Sequence, residues 1–286
     1  MFNYVLRARS PLVYPTAMVY IYGKSAGDGF FSKFPPERNQ IIRILAPMMW
    51  LYGRHAVKSA LLNEKRKVLR FVLLESCRDF LDGGWKPPMK PEFTDKNFFS
   101  SAFGKDAIHQ GCAVLVKKLE APRLEELLED ESDQRPFMFL DRVTDPQNVG
   151  GILRAAAVFG ARAVVTPDRH SPELTPVVAK AASGAAEVVP LIRVVNLVQS
   201  INDLRRRNFW CVGLDERADK TIQEISLKGK FIFIIGGEGR GMRRLSRESC
   251  DFLARLPSFG NFSTLNAAQA ATVTLYEFLR QNPRDG

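Results

Sequence analysis

Phe231-Ile232-Phe233-Ile234-Ile235-Gly236-Gly237-Glu238-Gly239-Arg240-Gly241 sets five apolar residues directly before a loop of glycines. An unbroken apolar run of that length reads as a strand buried on both faces, the habit of parallel sheets. Glycines between such a strand and a following helix admit positive φ and let backbone approach a ligand closely. The dinucleotide fingerprint is G-x-G-x-x-G in the first strand–helix unit, with an acid about 20 residues on. Gly237, Gly239 and Gly241 stand at another spacing and late in the chain. No Gly-Lys-Ser/Thr follows, so a P-loop is excluded too. The loop reads as a ligand site at the sheet edge or, more plainly, as a tight turn.

Outward from it, strands and helices alternate from Pro136 onward, which predicts a parallel α/β sheet. Strands are expected at 137–140, 162–165, 188–194 and 209–214, with a last one ending at Leu256-Pro257. Asp145 as N-cap and Pro146 at the first helical position open a helix that stops at Gly160. Further helices are expected at 176–186 and 196–207, as a short basic turn after the glycine loop, and from about Thr264 to Gln281. Upstream, 55–62 has helical spacing, 68–74 reads as a strand, and 108–116 is strand-like. The acid-rich stretch 121–136 reads as a linker. Residues 1–47 mix aromatics, Pro, Gly and basic residues without a period. They are expected to be a disordered extension, sequence ahead of a start at Met48 or Met49, or a transit peptide.

Composition narrows the function. The 286 residues carry 41 Lys plus Arg against 31 Asp plus Glu, a net charge of +10 that points to an anionic partner, nucleic acid first. Hydrophobic content of 45% excludes a disordered chain, and no apolar run approaches the roughly 18 residues that would span a bilayer. Cys77, Cys112, Cys211 and Cys250 stand far apart, which argues against a zinc ribbon or a disulfide scaffold. With only His55, His109 and His170 besides, none at ligand spacing, no metal is expected.

Two further segments carry chemistry. In Asn148-Val149-Gly150-Gly151-Ile152-Leu153-Arg154, the glycines lie four and three residues before Arg154, one turn above it on the same helix face. Each costs about 1 kcal/mol of helix stability relative to Ala. That cost fits a bare surface through which a bulky ligand reaches Arg154, or a close helix–helix contact with a solvated Arg. Arg suits phosphate because its planar guanidinium stays charged and offers forked donors. The other segment runs from Leu256-Pro257 to Ser263-Thr264-Leu265-Asn266, where Thr264 or Ser263 would serve as an N-cap.

In this order, the three segments resemble the motifs of the SpoU (TrmH-like) family of RNA ribose 2'-O-methyltransferases in the SPOUT superfamily. N-x-G-x-x-x-R matches Asn148, Gly150 and Arg154; G-x-E-G-x-G matches Gly236, Glu238, Gly239 and Gly241. The third motif matches Leu256, Pro257, Leu265 and Asn266, with Thr264 in place of Ser and Ala267-Ala268 where V-S is usual. Tyr52-Gly53-Arg54-His55-Ala56-Val57 and His109-Gln110-Gly111 are similar to the L30e-like substrate-binding domain that precedes the catalytic domain in many members. The branch most similar is the bacterial 23S rRNA guanosine 2'-O-methyltransferases.

The resemblance implies an α/β, trefoil-knotted SPOUT methyltransferase domain at 137–286 and a small N-terminal α/β L30e-like substrate-binding domain at 48–120. It also implies a homodimer, no membrane, S-adenosyl-L-methionine as methyl donor without metal, and RNA as substrate, rRNA ahead of tRNA. The implied catalytic residues are Asn148, Arg154, Glu238 and Asn266. Leu214, Gly236, Gly237, Gly241, Leu256, Thr264 and Leu265 would line the cofactor pocket. Arg154 would act as base or as a phosphate and oxyanion clamp; Glu238 would orient Arg154 or Asn148, or brace the loop. Lys65-Arg66-Lys67, Lys117-Lys118, Arg205-Arg206-Arg207 and Arg243-Arg244 are candidate phosphate contacts. The expected location is cytoplasmic, or mitochondrial if 1–46 is a transit peptide. A methylation-dead ribosome-assembly factor is the rival from another class, and the intact motif residues argue against it.

Overall fold

The computed structural model describes residues 48–82, 84–169, 171–260 and 265–283. The readings of residues 1–47, of Thr264 and of His170 lie outside them. Two compact units result, a smaller one from 48–54 with 64–118, and a larger one from 55–63 with everything after 118.

The larger unit is built on six parallel strands: β5 (Phe137–Asp141), β6 (Ala163–Pro167), β7 (Leu191–Val194), β8 (Phe209–Leu214), β9 (Lys230–Gly236) and β10 (Phe252–Ala254). Their order across the sheet is β10-β8-β9-β5-β6-β7. The apolar runs at 137–140 and 231–235 thus become the two central strands, and Phe137, Phe139, Phe231 and Phe233 are fully buried.

Helix α3 (Pro146–Phe159) starts and stops as the sequence dictates. Asp145 accepts a hydrogen bond from the Gln147 N–H at 3.0 Å, and Gly160 closes the helix in the left-handed region at φ 73°. Beside it on the same sheet face lies α7 (Ala267–Gln281), and Ile152, Leu153 and Ala156 share one core with Ala271, Leu275 and Phe278. The opposite face is covered by α5 (Leu197–Arg205), through Leu197, Ile201 and Leu204.

Several boundaries differ from expectation for local reasons. Helix α4 (Pro176–Ala181) ends five residues early, because Ser183 at φ 51° and Gly184 at φ 91° turn the backbone left-handed. A 3-10 turn at Ala185–Glu187 follows, and β7 begins only after Pro190. The C-terminal helix is capped by Asn266, not by Thr264 or Ser263: its Oδ1 accepts from the Gln269 N–H at 2.8 Å. In the acid-rich stretch, a 3-10 turn at Glu126–Leu128 buries Leu128, with Leu124, among Phe137, Phe139 and Phe209. Arg162 braces that stretch, donating to the carbonyls of Asp133 and Asp130, each at 3.1 Å. The stretch is thus part of the larger unit, packed into its core at Leu124 and Leu128.

The smaller unit has a four-stranded sheet in the order β1 (Met48–Tyr52), β4 (Cys112–Lys117), β2 (Val68–Leu74), β3 (Glu92–Thr94). The first three pair antiparallel, and β2 pairs parallel to β3. Helix α2 (Lys96–Phe103) follows β3, whereas α1 (Arg54–Leu62), which follows β1 in the chain, belongs from His55 onward to the larger unit. Neither β3 nor α2 is predicted from the pattern; α2 is started by Asp95, whose carboxylate accepts from the Phe98 N–H at 3.0 Å. Phe99 is fully buried with Trp50, Tyr52, Val72, Leu74 and Ala113. The two segments singled out in the sequence meet here, since Gln110 Oε1 accepts from the Arg54 N–H at 2.9 Å. Gln110 (φ 53°) and Gly111 (φ 74°) form the turn into β4, and His109 stacks on Phe99 with ring centroids 4.2 Å apart.

Candidate active site

Strands β5 and β9 are neighbours, but the chain leaves their carboxyl ends in opposite directions. From β5 it passes through α3 to β6; from β9 it passes through α6 (Arg244–Glu248) to β10 at the far edge. Such a switch point opens a crevice outside the carboxyl ends of the strands, where open α/β sheets bind their ligands. The residues there are Asp141 and Gly236, which pair in the ladder, followed by the start of α3 on one side and the glycine loop on the other.

The loop is tightly interlocked. The Gly237 N–H donates to the Asp141 carbonyl at 2.8 Å, and the Gly241 N–H donates to the Gly237 carbonyl at 2.8 Å. A Cβ on Gly237 would lie 2.1 Å from the Arg142 carbonyl oxygen, and one on Gly236 would lie 2.5 Å from the backbone of Gly241 and Met242. These two glycines are required by backbone-to-backbone approach. Gly239 (φ 75°) and Gly241 (φ 59°) are required by their left-handed backbone instead, and the space beside each is open. The result is a rigid backbone cradle with an open rim, which fits a cofactor held through main-chain groups.

Asn148 and Glu238, ninety residues apart, are brought together across the crevice. Asn148 is buried in the first turn of α3, and its Nδ2 donates to Glu238 Oε1 at 2.8 Å. Arg154, two turns further along, is exposed, and its side chain has no hydrogen-bond or ion-pair partner among the described residues. Asn266 stands at the head of α7, its side chain engaged in the cap. Leu214 and Leu256 pack partly buried against the same core, and Leu265 is 48% exposed.

Gly150 and Gly151 do not open a path to Arg154. A Cβ on Gly150 would lie 2.3 Å from Ala181 Cβ and 2.9 Å from the Ala182 nitrogen, so α4 lies directly on it. One on Gly151 would lie 2.8 Å from Ala268 Cβ, at the start of α7. The helix-contact alternative is the correct one for the glycines. Their packing seats the head of α7, with Asn266, beside the first turns of α3.

Much of the basic character in the candidate runs is engaged locally. Arg66 is buried and donates to the Lys117 carbonyl at 2.9 Å; Arg244 pairs with Glu248 at 2.6 Å. Arg205 pairs with Asp251 and Arg206 with Asp203. All four cysteines are free, and burial pushes the Cys112 thiol up to about 12. The hydrogen bond to Cys250, and then burial, push the Cys211 thiol up as well. Among the described residues no group of His, Cys, Asp and Glu is placed to hold a metal, and no helix is long and apolar enough to cross a membrane.

Residues 136–276 match the SpoU rRNA Methylase family. A 23S rRNA (guanosine-2'-O-)-methyltransferase RlmB from Pseudomonas aeruginosa is 39% identical over 241 residues, which cover 81% of this chain and 96% of that protein. The chain belongs to the SpoU family. The RlmB of Coxiella burnetii is 43% identical over 239 residues, 81% of this chain and 95% of that one. Among solved structures, the SpoU methyltransferase AviRb from Streptomyces viridochromogenes, in complex with AdoMet, superposes with a TM-score of 0.71. It covers 94% of this chain and 98% of that one at 20% identity, a likeness of fold. The SpoU relationship supplies what spacing alone does not, a reason for the glycine loop and the Asn148 helix to share one crevice. Sequence reasoning missed Asp141, which looks like the end of a strand; its signal is a carboxylate at the tip of a central apolar run.

Proposed function

We propose that this SpoU-family protein is an S-adenosyl-L-methionine-dependent RNA ribose 2'-O-methyltransferase acting on a guanosine of 23S rRNA. The single observation that carries the reading is the Asn148–Glu238 hydrogen bond at the switch point, which joins the first two motifs in one site. The substrate follows from relatives aligned over nearly their whole length, all named for that reaction.

S-adenosyl-L-methionine, when bound, supplies a methyl group already activated by its sulfonium. The chain has to align the ribose 2'-oxygen and help it lose its proton. Arg154, exposed and without a local partner, holds the phosphate beside the target ribose and stabilises the oxygen as charge develops on it. A guanidinium stays protonated at neutral pH, which favours this clamp over a literal base. Glu238 braces the loop by accepting from Asn148. Gly236, Gly237 and Gly241 shape the backbone cradle for the cofactor, with Leu214, Leu256 and Leu265 as apolar walls and Asn266 at the head of α7; Thr264 is assigned to the pocket by its motif alone.

The finer architecture is part of the same proposal. Residues 48–120 are an L30e-like RNA-binding domain, joined through 121–136 to the catalytic domain at 137–286. The insertion of β9 between β5 and β8, with β10 outside β8, supports a C-terminal portion threaded as a trefoil knot. The protein works as a homodimer, and its location is cytoplasmic, which the bacterial origin of the relatives supports.

The test is methylation of a 23S rRNA transcript in vitro, followed by nucleoside mass spectrometry and site mapping. The expected product is one 2'-O-methylguanosine. Methyl groups on bases, or no incorporation by a protein that binds the cofactor in calorimetry, overturn the reading.

A further inference from the structure

We infer that Asp141 is the positioning residue of the glycine loop, fixing both of its ends and through them the cofactor cradle. The inference rests on the methyltransferase reading above. Asp141 is the last residue of β5 and is fully buried. Its carbonyl accepts the Gly237 N–H at 2.8 Å, at the start of the loop. Its carboxylate Oδ2 accepts the Arg243 N–H at 2.7 Å, at the end of the loop. One residue thereby closes a seven-residue excursion at both feet. The next residue, Arg142 (φ 64°), turns its carbonyl into the space that a Gly237 side chain would fill, which locks the first foot further.

The charge of Asp141 is the informative part. A buried carboxylate is costly unless it is paired and hydrogen-bonded. Here Oδ1 has no hydrogen bond, although it lies 3.4 Å from Arg243 Nη1. The guanidinium thus meets the carboxylate as a close ion pair without a hydrogen bond, whereas a neutral amide would satisfy the Arg243 N–H as well with less desolvation cost. An acid is explained if it must hold Arg243 by backbone and guanidinium together, so that the loop cannot peel from the strand ends. Glu238 rides on that loop and reaches Asn148 on the far side of the crevice, so any drift of the loop would separate the first two motifs.

The test uses Asp141→Asn and Asp141→Ala in the full chain. Asn keeps an acceptor for the Arg243 N–H but sets an amide against the guanidinium; Ala removes both contacts. Amide exchange in the ligand-free protein is expected to quicken about tenfold or more at Arg243 in Asp141→Ala, the factor of one charge-assisted hydrogen bond, and less in Asp141→Asn, while Gly237, held by the main-chain carbonyl of residue 141, stays protected with β5 and β9. Calorimetry is expected to show weaker binding of S-adenosylmethionine and S-adenosylhomocysteine alike, by about tenfold, at unchanged stoichiometry. Turnover at saturating cofactor should fall with KM for RNA unmoved. Adding Arg243→Ala to Asp141→Asn should change little more, because both act through one contact. Unchanged loop exchange overturns the inference whether or not either ligand binds. A loss confined to the sulfonium compound also overturns it, since Asp141 would then act on the ligand's charge. Absence of cofactor binding by the wild type, with loop exchange still altered in the variants, would sink the methyltransferase reading and leave the loop assignment standing.

Discussion

Two pairs of adjacent glycines, Gly150-Gly151 in α3 and Gly236-Gly237 at the end of β9, look alike in the sequence and do different things in the molecule. The helical pair is covered by other helices, with Ala181 and Ala268 where side chains would be. The loop pair is covered by backbone from the same switch point, Arg142 on one side and Gly241-Met242 on the other. A glycine inside a helix is thus explained by what packs across it, and a glycine after a parallel strand by what the main chain must approach. The comparison also separates Arg154 from the glycines one turn before it. They hold the helix in place, and Arg154 is left exposed to meet a ligand.

The strongest challenge to that separation is Arg154→Lys, which keeps the charge and removes the planar fork. Loss of an aligned charge-assisted contact in the transition state should cost about 2–4 kcal/mol, or about 30- to 1000-fold in turnover. Cofactor affinity should not move. Single-turnover methylation at saturating cofactor reads the effect, and a rate within about threefold of wild type would return Arg154 to the solvated surface.

Alanine at each pair sharpens the contrast. Gly237→Ala sets a Cβ against the Arg142 carbonyl, so the loop must shift, and cofactor affinity should fall by about tenfold or more with about 1–3 kcal/mol of stability. Gly150→Ala should lower stability by a similar overpacking cost, offset in part by about 1 kcal/mol of helix propensity. Its cofactor affinity should stay at the wild-type value once the folded fraction is counted. Thermal unfolding and calorimetry on both variants give the comparison directly. If Gly150→Ala impairs binding and Gly237→Ala does not, the assignments are reversed.

What could be read beforehand follows the strength of local signals. Helix α3 was legible because Asp145, Pro146 and Gly160 state both of its ends, and β9 because its apolar run needs burial on both faces. The early stop of α4 was not legible, since Ser183 gives no sign of its left-handed φ before the chain is folded. Helix α2 was missed because its aromatics suit strands as well as helices, and only the Asp95 cap decides between them. At the site, Asn148 and Glu238 were legible as motif residues, but their hydrogen bond depends on strand order, which no local pattern encodes. Asp141 was hidden for the same reason. Its partners are Gly237 and Arg243, about a hundred residues away in the chain and adjacent only once β5 and β9 pair.

The smallest expected effect falls on Glu238→Gln, and its smallness is what makes it informative. Glu238 is exposed, and the one hydrogen bond of its side chain among the described residues uses Oε1 as an acceptor from Asn148. Gln retains that oxygen in the same place, so a residue that only braces the loop should lose little. Turnover within about threefold of wild type, under about 0.7 kcal/mol, is the expected result. Glu238→Ala removes the acceptor and leaves the buried Asn148 amide short of a partner, which should cost about 1–3 kcal/mol. That loss should appear as weaker cofactor binding and lower turnover together, because the loop and α3 would no longer be tied. Were Gln as damaging as Ala, the negative charge of Glu238 would be needed in its own right. The carboxylate would then have to orient Arg154 or meet the substrate, and bracing would no longer describe its role.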